Sequence, residues 1–224
     1  MIDPSLRLRR AIHAADASLV ARILRSHPHL VHNPDHSVPD GRANSSLHLA
    51  ASLGHLAVVR LLVDDFAHED PHPALNDAHQ TALMLAAAAG HTDVVHFLCE
   101  RGAPVLRADA RGRDAIMEAA LHGHDTAVQI LLTFAPGGAE EALARADVDG
   151  NTALHFASSN GNLLVLRTLL AAGADAGRRN VWDWSAEAYS ATVQAEVYLR
   201  GLVAEAERKR GRGGGGVRVV EEGG

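Results

Sequence analysis

Histidine is the residue type in this sequence with the widest range of possible chemistry. The chain has 15 histidines, and the neutral imidazole ring is a common ligand of zinc and other transition metals. Six of them fall in two polar segments that contain proline: His27, His29, His32 and His36 in the first, His68 and His72 in the second. Neither segment contains cysteine or a histidine pair fixed on a helix at i, i+4 spacing. The pattern therefore favours polar loops, and a metal protein is kept as the weaker alternative.

Other groups that could support catalysis are scarce. A nucleophilic site needs Ser or Cys beside an oriented base, and the single cysteine, Cys99, follows the apolar pair Phe97-Leu98. This context indicates a buried or edge thiol. Gly137-Gly138 lacks the Gly-Lys-Ser/Thr that follows in a phosphate-binding loop. We therefore expect no enzymatic activity, no cofactor and no catalytic residue.

The bulk composition excludes several classes of protein. A formal charge of −6 gives no global basic field for nucleic acid, and no apolar run reaches the length of a membrane span. The basic stretch 208–212 would suit RNA, an anionic lipid or an import receptor, although a solvated terminus is the simpler interpretation. The single cysteine fits a reducing compartment. We expect a cytosolic protein, with the nucleus or the cell periphery as further locations reached through a complex.

The element that must position these residues is a repeat. Glycines at 54, 90, 123 and 161 are separated by 36, 33 and 38 residues, and the surrounding residues match one template. A helix-capping residue stands nine positions before each glycine, a branched apolar residue seven before and an alanine four before. The capping residues are Ser45, Thr81, Asp114 and Thr152, the apolar residues Leu47, Leu83, Ile116 and Leu154, and the alanines Ala50, Ala86, Ala119 and Ala157.

This template predicts a pair of short helices in each unit. The capping residue opens the first helix, and the apolar residue and alanine share one face of it. The glycine ends that helix in the left-handed conformation, and a Val/Leu stripe follows on a second helix. One pair cannot bury its apolar side alone, so the units must stack. The predicted fold class is all-α, a solenoid of stacked helix-turn-helix units with projecting turns.

The ends and interruptions of the repeat set the domain boundaries. Leu8 and Ala11 begin a weaker first copy, and residues 181–207 form a degenerate last copy that contains Trp182 and Trp184. One tryptophan is expected to cover the apolar end of the stack, and the role of the other is left open. Insertions are expected at Phe66 to Pro73, as a loop, and after Pro136, as an extra helical turn. We predict a repeat domain of about six units over 1–207 and a disordered Gly/Arg-rich tail over 208–224.

The repeated residues resemble the ankyrin family. Its signature Thr-Pro-Leu-His-x-Ala is matched by Thr152-Ala153-Leu154-His155, with alanine or serine instead of proline in every copy. Five histidines stand at consensus positions, where hydrogen bonds to backbone are expected: His48, His55, His91, His124 and His155. Residues 4–12 followed by His27-Pro28-His29-Leu30 also resemble the start of the fungal ankyrin-repeat subunit of TOR complex two. That resemblance implies a non-catalytic accessory subunit of a kinase complex.

The ankyrin resemblance implies a protein partner held on the concave face, which consists of turn tips and exposed first-helix residues. A nuclear regulator or assembly chaperone that uses the same face is the alternative to a signalling scaffold. No specific nucleic acid or membrane partner is expected, apart from weak membrane contact through the basic tail. By register, the candidate protein-binding residues are Arg42, Asn44, Leu53, His79, Gln80, Arg111, Arg113, His122, Asp149, Asn151, Asn160 and Asp183.

Overall fold

The computed structural model describes residues 3–32, 43–66 and 75–213. Within these ranges the chain forms helices and turns, with one isolated bridge between Arg179 and Ser185 and no strand. The all-α prediction is confirmed. In chain order the helices are α1 (Pro4–His13), α2 (Ala17–Ser26), α3 (Ser46–Ser52), α4 (Leu56–Arg60, continued by a π-helical turn at Leu61–Asp65), α5 (Ala82–Ala89), α6 (Thr92–Glu100), α7 (Ala115–His122), α8 (Asp125–Phe134), α9 (Ala139–Leu143), α10 (Ala153–Ser159), α11 (Leu163–Ala171) and α12 (Val193–Gly213).

The first helix of each central unit begins at the predicted cap. The Thr81 hydroxyl accepts the backbone N–H of Met84 at 3.2 Å, and Asp114 Oδ1 accepts the N–H groups of Ile116 and Met117 at 3.1 and 3.0 Å. These bonds satisfy first-turn donors that have no partner inside the helix. Local sequence therefore fixes where these helices start.

The helices form two rows, and the core lies between them. First helices α1, α3, α5, α7 and α10 contact one another in that order, and second helices α2, α4, α6, α8, α11 and α12 do the same. The four predicted apolar residues are at most 1% exposed, and the four alanines are fully buried, which confirms the predicted core. Small alanine side chains let neighbouring first helices approach closely. The residues are Leu47, Leu83, Ile116 and Leu154 with Ala50, Ala86, Ala119 and Ala157.

Histidines at the second-helix caps join successive units. His91 Nε2 donates to the Ser52 carbonyl at 3.0 Å, and His124 Nε2 donates to the Ala88 carbonyl at 3.1 Å. Each ring passes so close to the preceding unit that a Cβ on Gly54 would lie 2.5 Å from His91 Nδ1. The expected backbone hydrogen bonds are therefore present for these histidines, and glycine is needed as much for space as for its positive φ.

The projecting turns form a second connection along the stack. Four turn tips, residues 76–81, 109–114, 147–152 and 180–185, share one conformation, in which the fourth residue of each has positive φ. The tips bond in series through Ala110 N–H to the Ala78 carbonyl, Val148 N–H to the Arg111 carbonyl and Val181 N–H to the Asp149 carbonyl, each at 3.0 Å. The tips are therefore a regular, mutually supported row.

The end units differ from the sequence prediction in several details. One tryptophan was expected to cover the apolar end of the stack. Trp182 and Trp184 are both 52% exposed, so neither is buried against that end. Ala195 and Leu199 of α12 are buried there instead. Residues 186–190 lack a first helix. The Ser185 hydroxyl still accepts the N–H of Ala188 at 3.3 Å, but Glu187 and Ser190 stand where the template has a branched apolar residue and alanine.

The structure agrees with one predicted insertion, and the other lies mostly outside the described residues. The extra turn after Pro136 is α9, as expected, whereas the expected Phe66–Pro73 loop lies almost wholly outside the described residues. The boundary predicted at Glu207 falls within α12, which continues to Gly213, and the division into domains stays a prediction. No helix in the described ranges has the length and apolar character needed to cross a membrane.

Candidate protein-binding face

Side chains of the first helices and of the adjacent tips lie at the surface. The term concave face refers to this set of side chains. Several predicted binding residues are exposed or half-exposed on it. The tips contribute charged and imidazole groups, and the ends of the first helices contribute aliphatic and polar groups. These residues are Asn44, Leu53, His79, Arg111, His122, Asp149, Asn160 and Asp183.

Two predicted binding residues belong to the framework instead. Gln80 is 7% exposed, and its side chain accepts from Asn76 while its carbonyl accepts from His48 at 2.9 Å. Asn151 is 3% exposed and accepts from Asn180 Nδ2 at 2.9 Å. Because these groups are already used inside the tip row, their burial counts against a binding role. Arg42 lies outside the described residues.

Arg113 also supports the fold. Its Nη2 lies 3.3 Å from Asp109 Oδ2 and 3.1 Å from Glu118 Oε1, with side-chain exposures of 17%, 3% and 4% for the three residues. Removing one member of a buried ion pair leaves an uncompensated charge, which costs about 3–5 kcal/mol. This placement counts against Arg113 as a side chain offered to a partner. Its alanine variant is therefore unsuitable for testing binding without affecting folding, in contrast to the sequence expectation.

One set of residues on this face was not predicted from the sequence. Each residue of this set stands four positions after the helix cap. The exposed residues at the end of the same helix follow three and four positions later, so the set and the exposed residues share one face of the helix. Leu49 and Leu85 are half-buried, while Phe156 and Glu118 are buried. The set is Leu49, Leu85, Glu118 and Phe156. The concave face therefore has a largely apolar floor beside charged tips. The i, i+3 and i+4 spacing of the first helices would have identified these floor residues from the sequence.

Asp114 combines a helix cap with an ion pair. It is 1% exposed and accepts from Arg145 Nε at 3.3 Å as well as from two backbone N–H groups. Burial raises the pKa of Asp114, and the hydrogen bonds and Arg145 oppose that shift. The residue links the start of α7 to the segment after α9, so its charge serves the framework.

His155 links the last two units. Its Nδ1 accepts the backbone N–H of Thr152 at 3.2 Å, and its Nε2 donates to the Trp184 carbonyl at 3.1 Å. Burial lowers the pKa of His155 from 6.5, while the bond to Trp184 and the charge of Asp147 oppose the shift. This geometry suits the neutral ring, because a proton on Nδ1 would face the Thr152 N–H.

We expect this histidine to make the protein less stable in acid. His155 binds a proton at a higher pH in the unfolded chain than in the folded chain. The stability that the neutral ring contributes above pH 6.5 is therefore lost as the pH falls below that value. His155→Met, which copies Met84 and Met117 at the same repeat position, should give a flatter curve of unfolding free energy against pH between about 7 and 5. Urea titrations of both proteins across this range measure the difference. Parallel curves would show that His155 does not contribute to the acid sensitivity.

The described residues give little support for metal binding or nucleophilic chemistry. No group of three or more possible ligands is assembled within the described ranges, which include His27, His29 and His32, whereas His36, His68 and His72 lie outside them. Cys99 is buried, as expected, and burial raises the pKa of its thiol to about 12. A thiol with that pKa is almost wholly protonated at neutral pH and is a poor nucleophile.

The tip row becomes apolar toward its last members. Val148 and Val181 stand at the second position of their tips and are 67% and 64% exposed, and Trp182 and Trp184 follow on the last tip. The Trp184 ring lies 5.9 Å from the ring of Tyr189. Exposed tryptophans are typical anchors for a partner protein, and the exposure of these two is compatible with that role.

A cleft that the sequence did not predict lies beside α12. It has a volume of about 450 Å³ and is lined by α9, the end of α11, the segment that follows α11, and α12, including Glu140, Leu170, Asp175 and Leu199. That volume is within the range of small-molecule sites. Glu187, also in the lining, is paired with Arg200.

Two rows of paired helices, joined by a series of hydrogen-bonded tips, define a helical repeat protein. A family model of ankyrin repeats, with three copies, matches residues 8–109 and 104–180. The chain therefore belongs to the ankyrin repeat family, whose members bind other proteins, and the family prediction is confirmed.

Two plant proteins are similar over part of the chain. A probable E3 ubiquitin-protein ligase, XBOS33 of Oryza sativa subsp. japonica, is 44% identical over 132 residues. The E3 ubiquitin-protein ligase XBAT33 of Arabidopsis thaliana is 42% identical over 132 residues. Each match covers 58% of this chain and 18% of the relative, so the chain spans less than a fifth of the length of these relatives. These matches give no support to the narrower resemblance to the TOR complex two subunit.

Proposed function

We propose that this chain is a non-catalytic scaffold that holds a protein partner against the concave face. The observation that carries the proposal is the apolar floor of Leu49, Leu85 and Phe156, with Leu53 at the end of α3, beside exposed charged tips. An apolar centre with a polar rim is the usual composition of a protein interface. The tips are fixed to one another by backbone hydrogen bonds, so little conformational entropy is lost when a partner binds.

A finer proposal is that the scaffold is an accessory subunit of a TOR complex two-like kinase assembly in the cytosol. Its support is the resemblance of residues 4–12, which fold as α1 with Asp3 as the helix cap. In this form the partner is a large kinase subunit, and the signalling role follows from that assembly.

A second candidate is a binding module that presents proteins for ubiquitin transfer. The observation that favours it is the 44% identity over 132 residues to a probable E3 ubiquitin-protein ligase. Because the ankyrin repeat model covers residues 8–180, a match of 132 residues lies mostly within repeat units. The shared part would then be the binding function, and the catalytic machinery would lie in other segments or partners.

The concave face is tested by a double variant, Arg111→Ala with His122→Ala. Both side chains are exposed on this face, so we expect recovery of the partners from native extract to fall at least about tenfold. The thermal midpoint should stay within a few degrees of the parent, since neither side chain is in the core. Quantitative affinity purification with mass spectrometry measures the recovery.

The matched control is Arg167→Ala with His96→Ala, which removes the same residue types from exposed positions on the second-helix row. Full recovery with the control and loss with the test variant support the concave face. Equal recovery with both variants would contradict the proposal. Recovery of a large kinase with its core subunits favours the TOR form, whereas ubiquitin-transfer enzymes favour the second candidate. Transcription or proteasome components would favour a nuclear regulator or assembly chaperone.

A further inference from the structure

The four turn tips present the same backbone groups in the same order. Their fourth residues, His79, Gly112, Gly150 and Asp183, have φ values of 59°, 80°, 77° and 64°. Their first residues accept the N–H groups of the third and fifth residues through a side-chain oxygen, as Asn180 Oδ1 does for Trp182 and Trp184 at 3.0 and 3.1 Å. Because the conformation is repeated, a hydrogen bond made by one tip indicates what the equivalent group of another tip can make.

The third residue of each of the first three tips accepts a bond from the next tip. The acceptors are the carbonyls of Ala78, Arg111 and Asp149, and each receives the N–H of the second residue of the following tip at 3.0 Å. The equivalent carbonyl of the last tip belongs to Trp182. In the part of the chain that the structure describes, it accepts no hydrogen bond. The series therefore ends on an open acceptor.

The side chains around this acceptor are apolar. Val181 and Trp182 are 64% and 52% exposed, and Trp184 is as exposed as Trp182. The equivalent third positions of earlier tips hold Ala78, Arg111 and Asp149, so large apolar groups are concentrated on the last tip that the structure describes. Exposed tryptophans at such positions are typical anchors of protein interfaces.

We propose that the last tip, residues 180–185, is a docking site for a turn or extended segment of a partner protein that continues the series of tips. The segment donates a backbone N–H to the Trp182 carbonyl and places a small aliphatic side chain beside the indole of Trp182. This chemistry follows from the established contacts, because the residue that covers each preceding tip is Ala110, Val148 or Val181. The inference rests on the proposed function of the chain as a protein scaffold, and it names the anchor and the partner chemistry.

A side chain at the fourth position of the tip is compatible with this docking. Where glycine stands at that position, an added Cβ on Gly150 would lie 3.0 Å from the N atom of Val181, which suggests crowding by Asp183. However, His79 occupies the same position of the first of the four tips, and the bond from Ala110 to Ala78 is still formed at 3.0 Å. Asp183 therefore does not block a following segment.

The chain carries its own reporter of this site, because Trp182 and Trp184 are its only tryptophans. A phage-displayed library of random linear 12-residue peptides is selected on the full chain, and the enriched peptides are synthesised and titrated while tryptophan emission is recorded. We expect peptides with a central valine, isoleucine or alanine that shift the emission to shorter wavelength. Trp182→Ala should weaken their binding at least about tenfold, with an unchanged thermal midpoint because the ring is half-exposed.

Two controls make the experiment specific. Leu164→Ala removes a comparably exposed apolar side chain from α11 and should leave peptide affinity unchanged. A peptide N-methylated at the central aliphatic residue lacks the donor for the Trp182 carbonyl and should bind at least about tenfold more weakly.

Several results would overturn the inference. They are selected peptides without an aliphatic residue, a library that returns no binder, unmoved emission, or equal affinity for Trp182→Ala. A shift to shorter wavelength that appears with rising protein concentration and no peptide would assign the tip to a second copy, against the proposal. Loss of partner recovery in the Arg111→Ala/His122→Ala variant with normal recovery in Trp182→Ala would refute this inference alone. Normal recovery in the Arg111→Ala/His122→Ala variant would instead refute the concave face.

Discussion

Replacing Leu83 with alanine is expected to lower the free energy of unfolding by about 2–5 kcal/mol. Leu83 is 1% exposed on α5, in the middle of the stack, so truncation leaves a cavity that two neighbouring units cannot both relax to fill. In a repeat array each unit is stable mainly through its contacts with its neighbours. A central cavity therefore weakens two interfaces at once. Urea denaturation followed by circular dichroism measures the change.

The matched control for this cavity is Leu164→Ala, which removes the same side chain from a position that is 56% exposed. Its effect should stay within about 0.5 kcal/mol. Similar losses for the two variants would mean that position 83 does not lie in the core, and the register of every unit would then be in doubt.

Replacing Gly90 with alanine is expected to cost about 2–4 kcal/mol. Gly90 has φ of 74°, and a left-handed conformation costs about 1–2 kcal/mol for a residue with a Cβ. That Cβ would also lie 2.5 Å from His124 Nδ1. The ring must then move, and its hydrogen bond to the Ala88 carbonyl, worth about 1 kcal/mol, is lost with part of the packing.

Gly102 separates the two causes. It has φ of 83°, and nothing lies within 4 Å of an added Cβ. Gly102→Ala should therefore cost only the conformational strain, about 1–2 kcal/mol. In a His124→Ala background the penalty of Gly90→Ala should fall to the same value, since the obstructing ring is gone. Equal penalties for Gly90→Ala and Gly102→Ala in the parent protein would show that the ring does not constrain position 90.

The contact between glycine and histidine explains why the glycines at 54, 90 and 123 are each followed directly by histidine. The histidine ring of one unit fills the space that a side chain on the glycine of the preceding unit would need, as for His91 beside Gly54 and His124 beside Gly90. Where the last copy has Asn162 instead, its side chain still donates to the Ala120 carbonyl at 3.1 Å. The motif therefore encodes the junction between units, which His91 and His124 join through hydrogen bonds to backbone carbonyls of the preceding unit.

The candidate site was predicted less completely than the fold. Register placed Arg111 and His122 on an exposed face, and both are exposed. Register also placed Gln80, Asn151 and Arg113 there. The Gln80 side chain is bonded by Asn76 of its own tip, the Asn151 side chain by the next tip, and the Arg113 side chain by Asp109 and α7. A residue's position in the repeat therefore does not show which polar neighbours its side chain will meet.

The sequence by itself determined where the first helices of the central units begin and end, because caps such as Thr81, the glycines and the Leu/Ala spacing act within a few residues. It also determined that the units stack, since each helix pair has an apolar side that it cannot bury alone. Only the tertiary structure decided which polar side chains remain available and which residues close the ends. That outcome depends on contacts between residues about 30 positions apart, such as His48 with Gln80 and His155 with Trp184, and Trp182 stays exposed because no described tip follows it.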